Sequence, residues 1–508
     1  MSGRVENSLR NIKTTLLIYI LNIGLQFAGR TVFLWFLSVE YLGINGLFSN
    51  ILSMLNLAEL GIGSAMVYAL YKPCADNDTE QIKELMFLYK KLYSFIGIMV
   101  FLLGISLIPF LNIFIDDVPD HLGNISLFYM LYIINTSASY FFTYKRSLII
   151  CFQEQYISTI TSFVKNILIF LLQSFVLVIT KNYYFYLIVQ IVLTILENMY
   201  ISKLADKKYP YLKEKSGYPA KEKIHTIKKN VMAMSLHKIG GVVVNGTDNL
   251  IITKFVSLTA TGLFSNYSIV LAAITSMISQ IFFALTASVG NLVAYNNSSN
   301  IYRVFKRIYF ANFMIYFFIG VNLICLFNDF IELWLGEGYI LKSNVIFCIV
   351  FSFVTNGMRR TVLTFKDAYG LFWNDRFKPL IEVFINLCLS IPLTIKFGIA
   401  GTFLGTIVTN LFVSGLIESF VLYKHGFKKN IKSYLFLQAK YYIYFILGLL
   451  ICFFSTRFQI QNVVVKFLLK ALSCILVSSI FIFLNFNKTE EFKYYINIFR
   501  NYLYYKRK

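Results

Sequence analysis

Residues 14–50 read "TTLLIYILNIGLQFAGRTVFLWFLSVEYLGINGLFSN". The apolar block 14–38 is longer than the roughly 20 residues that a helix needs to cross the hydrocarbon of a bilayer. Asn22, Gln26 and Arg30 interrupt it at i, i+4 and i+8, which stacks all three on one helix face. The stretch closes on "GLFSN" (46–50), and the same five residues return at 262–266. A membrane-crossing helix with a polar stripe and a duplicated tail fix the terms in which the rest of the chain is read.

The other apolar material has the same form. The 508 residues are 57% hydrophobic and only 14% charged, whereas a soluble domain carries about 25% charge. Blocks of spanning length recur at 43–71, 89–112, 124–144, 157–179, 184–202, 231–255, 262–293, 308–327, 343–358, 379–395, 400–423, 441–454 and 464–485, which makes fourteen with the first. The fold class is therefore an all-α polytopic membrane protein. No cleavable signal peptide is expected, because the first apolar block is too long for one.

Charge orients these spans. The net charge is +22, from 47 Lys+Arg against 25 Asp+Glu. With both termini in the cytoplasm, 37 Lys/Arg fall in the inner segments, and the outer loops keep only Lys181, Lys342, Lys396 and Arg457. Losing one span would reverse every later loop and destroy this asymmetry, so the positive-inside rule fixes an even count. The basic excess is a topology signal facing an anionic leaflet, and no nucleic-acid partner is expected. Seven scattered cysteines without a CxxC pair and four isolated histidines give no disulfide or metal framework. Phosphate-cradling glycine loops, nucleophile elbows, HExxH motifs and carboxylates at catalytic spacing are lacking, so neither an enzyme nor ATP use is expected.

The pentapeptide belongs to a longer echo. Upstream, "RTVFLWFLS" (30–38) aligns with "NLIITKFVS" (249–257), and "YKRSLII" (144–150) aligns with "MRRTVLT" (358–364) at the inner ends of spans 4 and 10. Echoes six spans apart imply two pseudo-symmetric six-helix lobes in parallel orientation, with a helix pair added at the end. The expected domains are an N-terminal lobe (1–202), a basic cytoplasmic connector (203–229), a C-terminal lobe (230–440), and two further spans with a basic cytoplasmic tail (441–508).

Polar residues within spans cost free energy unless they face protein or water. Span 1 supplies Asn22, Gln26 and Arg30, span 2 supplies Asn56 and Glu59, and span 7 supplies His237, Asn245 and Asp248. These are the candidate substrate-cleft residues, although amides and hydroxyls also serve as ordinary helix–helix contacts. Arg30 and Asp248 lie at similar depth and are candidates for an ion pair acting as an outer gate. Glu59 is the candidate for Na+ or H+ coupling, and no other cofactor is expected. Lys145, Arg146, Lys165, Arg359 and Arg360 cluster toward inner span ends. They read either as topology anchors or as a cationic vestibule for an anionic headgroup.

The stretch "GRTVFLWFLSVEYLGINGLFSNILSMLNLAELGIGSAMVYALYKP" (29–73) resembles the Wzx-type polysaccharide-biosynthesis flippases of the multidrug/oligosaccharidyl-lipid/polysaccharide exporter superfamily, and "FKDAYGLFWNDRFKP" (365–379) looks like a second stretch of that family. The resemblance implies two lobes in a V around a central cleft in a bacterial plasma membrane. It also implies an undecaprenyl-pyrophosphate-linked oligosaccharide moved between leaflets by alternating access, with membrane lipids and other polysaccharide-assembly proteins as partners. Arg30 and Glu59 carry over as cleft residues; Lys366, Asp367, Asp375 and Arg376 match without an assigned role. A cation-coupled drug exporter of the same superfold is the main alternative and calls for a more acidic cavity. A membrane glycosyltransferase or polymerase calls for a large outer loop, which the sequence lacks.

The charge-based topology has a direct test. In a variant without the seven native cysteines, a cysteine at Ser216 in the basic connector is expected to react with an impermeant thiol reagent only from the cytoplasmic face. Labelling from outside would invert the assignment.

Overall fold

The computed structural model describes residues 2–506 apart from Leu60, 114–121, Gln153, Lys215, Thr226, 229–230, 232–246, 296–297, 372–373 and 458–459. Twelve helices among the described residues are long and apolar enough to cross a membrane. They are spans 1, 3–6 and 8–14 of the sequence reading. Span 7 is described only from its C-terminal part, Asp248–Phe255. Span 2 forms two shorter helices, Val39–Leu55 and Ile62–Asp76, joined by a 3-10 turn at Asn56–Glu59.

Many helices extend past their apolar blocks. Span 3, expected at 89–112, is the helix Thr79–Ser106, and span 13, expected at 441–454, is Lys432–Ser455. Hydropathy marks the membrane-embedded middle of a helix, whereas capping marks its end. Asp78 accepts from the Gln81 amide at 3.0 Å to start span 3. Asn124, Asn182 and Asn462 cap the starts of span 4 (Ile125–Cys151), span 6 (Tyr183–Lys208) and span 14 (Val463–Phe486) in the same way.

The chain divides into two compact units, residues 1–262 and 263–508. In the first, span 4 packs on spans 3 and 6, and span 5 (Gln155–Thr180) packs on span 1 (Ser2–Phe36) and span 6. The basic connector lies on this unit. Lys83 is held between Glu80 and Glu214 at 2.7 and 2.8 Å, and the Tyr209 ring stacks on Phe152 at 4.8 Å. The start of span 8 (Leu258–Tyr295) also packs here through glycines. A Cβ on Gly43 would lie 2.3 Å from the Leu258 carbonyl oxygen, and one on Gly262 would lie 2.2 Å from that of Val39. Gly262 is the first residue of the second "GLFSN", so in that copy the glycine marks a close helix approach.

In the second unit span 9 (Ser298–Leu335) packs on span 10 and on both C-terminal spans. Phe313 stacks on Tyr441 with centroids 4.2 Å apart, and Phe317 stacks on Phe481 at 5.5 Å. Span 9 runs past the residues expected in an outer loop, so Asp329 and Glu332 meet the cations of span 14. Lys466 lies 2.7 Å from Glu332, and Lys470 lies 2.8 Å from Asp329. Gly448 lets span 13 approach span 9, since a Cβ there would come within 2.4 Å of the Phe317 ring. Gly448→Val is therefore expected to overpack this joint and cost about 1–3 kcal/mol. The check is the midpoint of thermal unfolding followed by fluorescence-detected gel filtration; an unchanged midpoint would mean that the pair is not fastened there.

Candidate functional site

The break in span 2 follows from "NLAELGIG" (56–63). Gly61 adopts φ 74°, a left-handed conformation that a side chain would disfavour, and the chain restarts as a helix at Ile62. Irregular backbone at membrane depth occurs where protein or water covers it. Here the cover is a set of tyrosines from spans 3 and 4. Tyr93 donates to the Glu59 carboxylate at 2.7 Å, and Tyr140 donates to Asn56 Oδ1 at 2.9 Å. The Tyr89 hydroxyl bonds Ser147 at 3.1 Å, and the Tyr89 and Tyr93 rings meet edge to face at 4.5 Å. A Cβ on Gly63 would sit 2.4 Å from both Glu59 Oε1 and the Tyr93 oxygen, so the glycine makes room for that bond. Asn56 and Glu59 are thus in one polar cluster. Tyr89/Tyr93 and Tyr140/Tyr144 escaped the sequence reading, although their i, i+4 spacing is a signal for paired polar faces.

The polar stripe of span 1 divides. Asn22 accepts from Asn166 of span 5 at 3.0 Å, and Gln26 is exposed. Arg30 lies within electrostatic reach of the phenols of Tyr132, Tyr183 and Tyr186. The first two share a hydrogen bond of 2.8 Å, and Phe33 sets its edge against Tyr183 and Tyr186. Asp248 opens the described part of span 7, and its buried Oδ1 has no hydrogen-bond partner among the described residues. No Arg30–Asp248 ion pair is formed in this conformation among the described residues. His237 and Asn245 lie outside the described residues.

The expected vestibule cations are mostly ion-paired. Lys145 meets Asp206 at 2.7 Å. Glu197 of span 6 accepts from Arg146 at 2.6 Å and from Ser162 at 2.7 Å, and it faces Lys165 of span 5 at 3.2 Å. In the second unit Arg359 forks onto Glu418 of span 12 (Ile399–Phe427) at 3.0 and 2.6 Å and reaches Asn410 at 2.5 Å. It also lies 3.3 Å from Glu382 of span 11 (Lys378–Phe397), while Lys378 meets Glu418 at 2.6 Å and Glu382 at 2.8 Å. Arg360 turns to the phenol of Tyr316. Lys366 and Asp375, matched without a role in sequence, form a buried ion pair.

The two clusters repeat one arrangement, in which a carboxylate on span 6 or span 12 gathers cations from the two spans before it. The partner of Glu197 is Arg146, whereas that of Glu418 is Arg359, one position earlier in the aligned echo. The helix of span 10 ends at Met358 and restarts at Arg360, which gives Arg359 a different direction. The roles of Lys378, Glu382 and Asn410 were not anticipated. Their signal was the ladder Glu382, Asn386, Ser390 and Thr394, four polar residues at intervals of four in span 11 and all buried.

Removing one member of a buried ionic group leaves its partner uncompensated, at a cost of about 3–5 kcal/mol. Glu418→Gln is expected to lower thermal stability by that order, and the double change Glu418→Gln with Arg359→Gln is expected to lower it less. If the double variant is the less stable, the Arg359–Glu418 coupling is refuted.

No protein-family model matches the sequence, and no curated protein sequence is significantly similar to it. Solved structures do match. The lipid II flippase MurJ in an inward closed conformation superposes with a TM-score of 0.66 at 17% identity, covering 95% of this chain and 99% of its own. An inward-facing multidrug resistance MATE transporter of the MOP superfamily gives 0.58 at 14% identity, over 81% of this chain and 97% of its own. A point mutant of the Vibrio cholerae MATE transporter VcmN gives 0.58 at 12% identity, over 84% and 99%. The chain has the multi-helix membrane fold that this lipid flippase and these MOP-superfamily transporters share.

Proposed function

We propose that this chain is a flippase. It carries an undecaprenyl-pyrophosphate-linked oligosaccharide repeat unit from the inner to the outer leaflet of a bacterial plasma membrane, by alternating access, for assembly of a capsule or another surface polysaccharide. The observation that supports this reading is the extent of the fold match. The lipid II flippase covers 95% of the chain, whereas the two MATE transporters cover 81% and 84%. Since the two MATE transporters are themselves covered to 97% and 99%, they are shorter than this chain. The sequence resemblance at 29–73 points the same way.

In this reading Arg30, set among tyrosines, meets the anionic or sugar-bearing part of the substrate, and Asn22, Gln26, Asn56, His237 and Asn245 line its path. Glu59, bonded to Tyr93 at a helix break, is the residue proposed to couple transport to Na+ or H+. Asp248, with an unpartnered buried oxygen, is proposed to meet Arg30 in another conformation and act as the outer gate. Lys145 and Arg359 are held by carboxylates of their own and Arg146 and Lys165 share Glu197, so capture of the transported headgroup falls to Arg360, which pairs with no carboxylate among the described residues. The protein moves its substrate without altering a covalent bond.

The test is complementation of a strain lacking its capsule flippase, with a leaflet assay of the lipid-linked intermediate. The wild-type protein is expected to restore export. Arg30→Gln is expected to reduce it by about tenfold to a hundredfold, the worth of one charged hydrogen bond. Normal appearance of the intermediate in the outer leaflet without the protein would sink the proposal. Transport of a cationic dye with no effect on the intermediate would favour the drug-exporter reading, which the MATE likeness of the fold keeps open.

A further inference from the structure

The two ion clusters differ in net charge. In the second unit Arg359 and Lys378 face two carboxylates, Glu382 and Glu418, and the cluster closes at zero. In the first unit, among the described residues, Arg146 and Lys165 share Glu197 alone, while Lys145 is matched by Asp206. Among those residues one positive charge is left over. The buried Nε of Arg146 also has no hydrogen-bond partner among the described residues. An excess cation in low-dielectric surroundings is costly, and an anion at the same place relieves that cost.

A place for that anion exists. A cavity of about 320 Å³ opens between spans 5 and 6, and its lining includes Lys165 and Glu197. Its walls include Val164, Leu168, Leu196 and Tyr200, all on the exposed apolar face of this helix pair. The Lys165 side chain keeps 22% of its exposure against 4% for Glu197, so a molecule in the crevice meets the lysine side chain more than the carboxylate. The combination is amphiphilic, with one cation set among aliphatic walls.

We propose that this crevice binds one anionic phospholipid, with its phosphate on Lys165 and an acyl chain along the aliphatic wall. The phosphate supplies to the first unit the negative charge that Glu382 supplies to the second. Lysine suits a phosphate as a point charge. The volume is at the low end for ligand sites, enough for a phosphate and a length of one chain and too small for a sugar-bearing carrier lipid. The bound lipid is a resident of one unit rather than the transported molecule, and its presence does not depend on the proposed flippase activity.

The full-length protein, purified in detergent and exposed to equal amounts of phosphatidylglycerol and phosphatidylcholine, provides the test, with retained lipid counted by native mass spectrometry. The wild type is expected to hold one phosphatidylglycerol at least tenfold more strongly than phosphatidylcholine. Lys165→Met is expected to lose that one lipid, and Leu196→Trp, which fills the crevice without touching a charge, is expected to lose it too. Thr161→Glu places a carboxylate one turn before Lys165, the favoured order for such a pair and the mirror of Glu382 one turn after Lys378. That variant is expected to release the lipid while keeping the thermal midpoint of the lipid-bound wild type, which also shows that it folds. Equal retention of both lipids by the wild type would overturn the proposal, as would a preference that survives Thr161→Glu and Leu196→Trp. Stabilisation by inorganic phosphate equal to that by phosphatidylglycerol would also overturn it, because the site would then take an anion without a chain.

Discussion

A charge carried into the hydrocarbon needs an opposite charge beside it, and in this protein two carboxylates, Glu197 and Glu418, hold four of the cations. Glu197 and Glu418 each sit on the last span of a six-helix set and each gather cations from the two spans before it. Spans 4, 5 and 6 are tied to one another at one point, and so are spans 10, 11 and 12. These ties act where apolar packing is weakest as a guide, because lipid tails are as apolar as leucine and supply little preference for one helix face over another. Ionic and hydrogen-bonded contacts, with close approaches at glycine, then select which faces meet.

Irregular backbone accompanies ionisable side chains in both units. In the first, the helix of span 2 gives way to a 3-10 turn at Asn56–Glu59, which holds Glu59 itself. In the second, span 12 widens into π-turns at Asn410–Ser414 and Leu422–Phe427, on either side of Glu418. Wide turns are uncommon and recur at functional positions. Asn410, at the first of them, turns its side-chain oxygen to Arg359. Along the same helix Gly401 and Gly405 let span 11 approach closely, and a Cβ at Gly405 would fall 2.3 Å from the Ser390 hydroxyl. Discontinuous helices at membrane depth are common where transporters handle charge, and span 2 has this character in a form that hydropathy alone reads as one continuous crossing.

Much of the fold was legible in the sequence because a bilayer imposes a length and a polarity on each crossing. The described parts of the apolar blocks are helical, and twelve of the fourteen meet the requirement for a crossing as single described helices. Boundaries were less legible. Span 3 begins at Thr79, ten residues before its expected start, because Asp78 caps it and the helix continues through Lys83, Lys90 and Lys91. Of the candidate residues, Asn56 and Glu59 were read from polarity inside an apolar block, and the structure brings them to one cluster. The tyrosines that complete it were not read, since tyrosine is abundant here and most of its positions are ordinary core. Glu382 and Lys378 were missed for a related reason: they stand at the start of span 11, where charge resembles a loop anchor.

The sequence by itself determined that the chain is an all-α polytopic membrane protein, and it sets the expectation of fourteen crossings, an even parity and a six-plus-six-plus-two repeat. Each is a property of residue type summed along the chain, so each survives ignorance of what any helix touches. Only the tertiary structure decided which cations are neutralised, where span 2 breaks and which glycines mark close approach. Those depend on the rotation of each helix about its own axis and on the neighbour it meets. A rotation of one residue moves a side chain by about a quarter turn, as Arg146 and Arg359 illustrate by meeting the same demand from adjacent positions of one repeated motif.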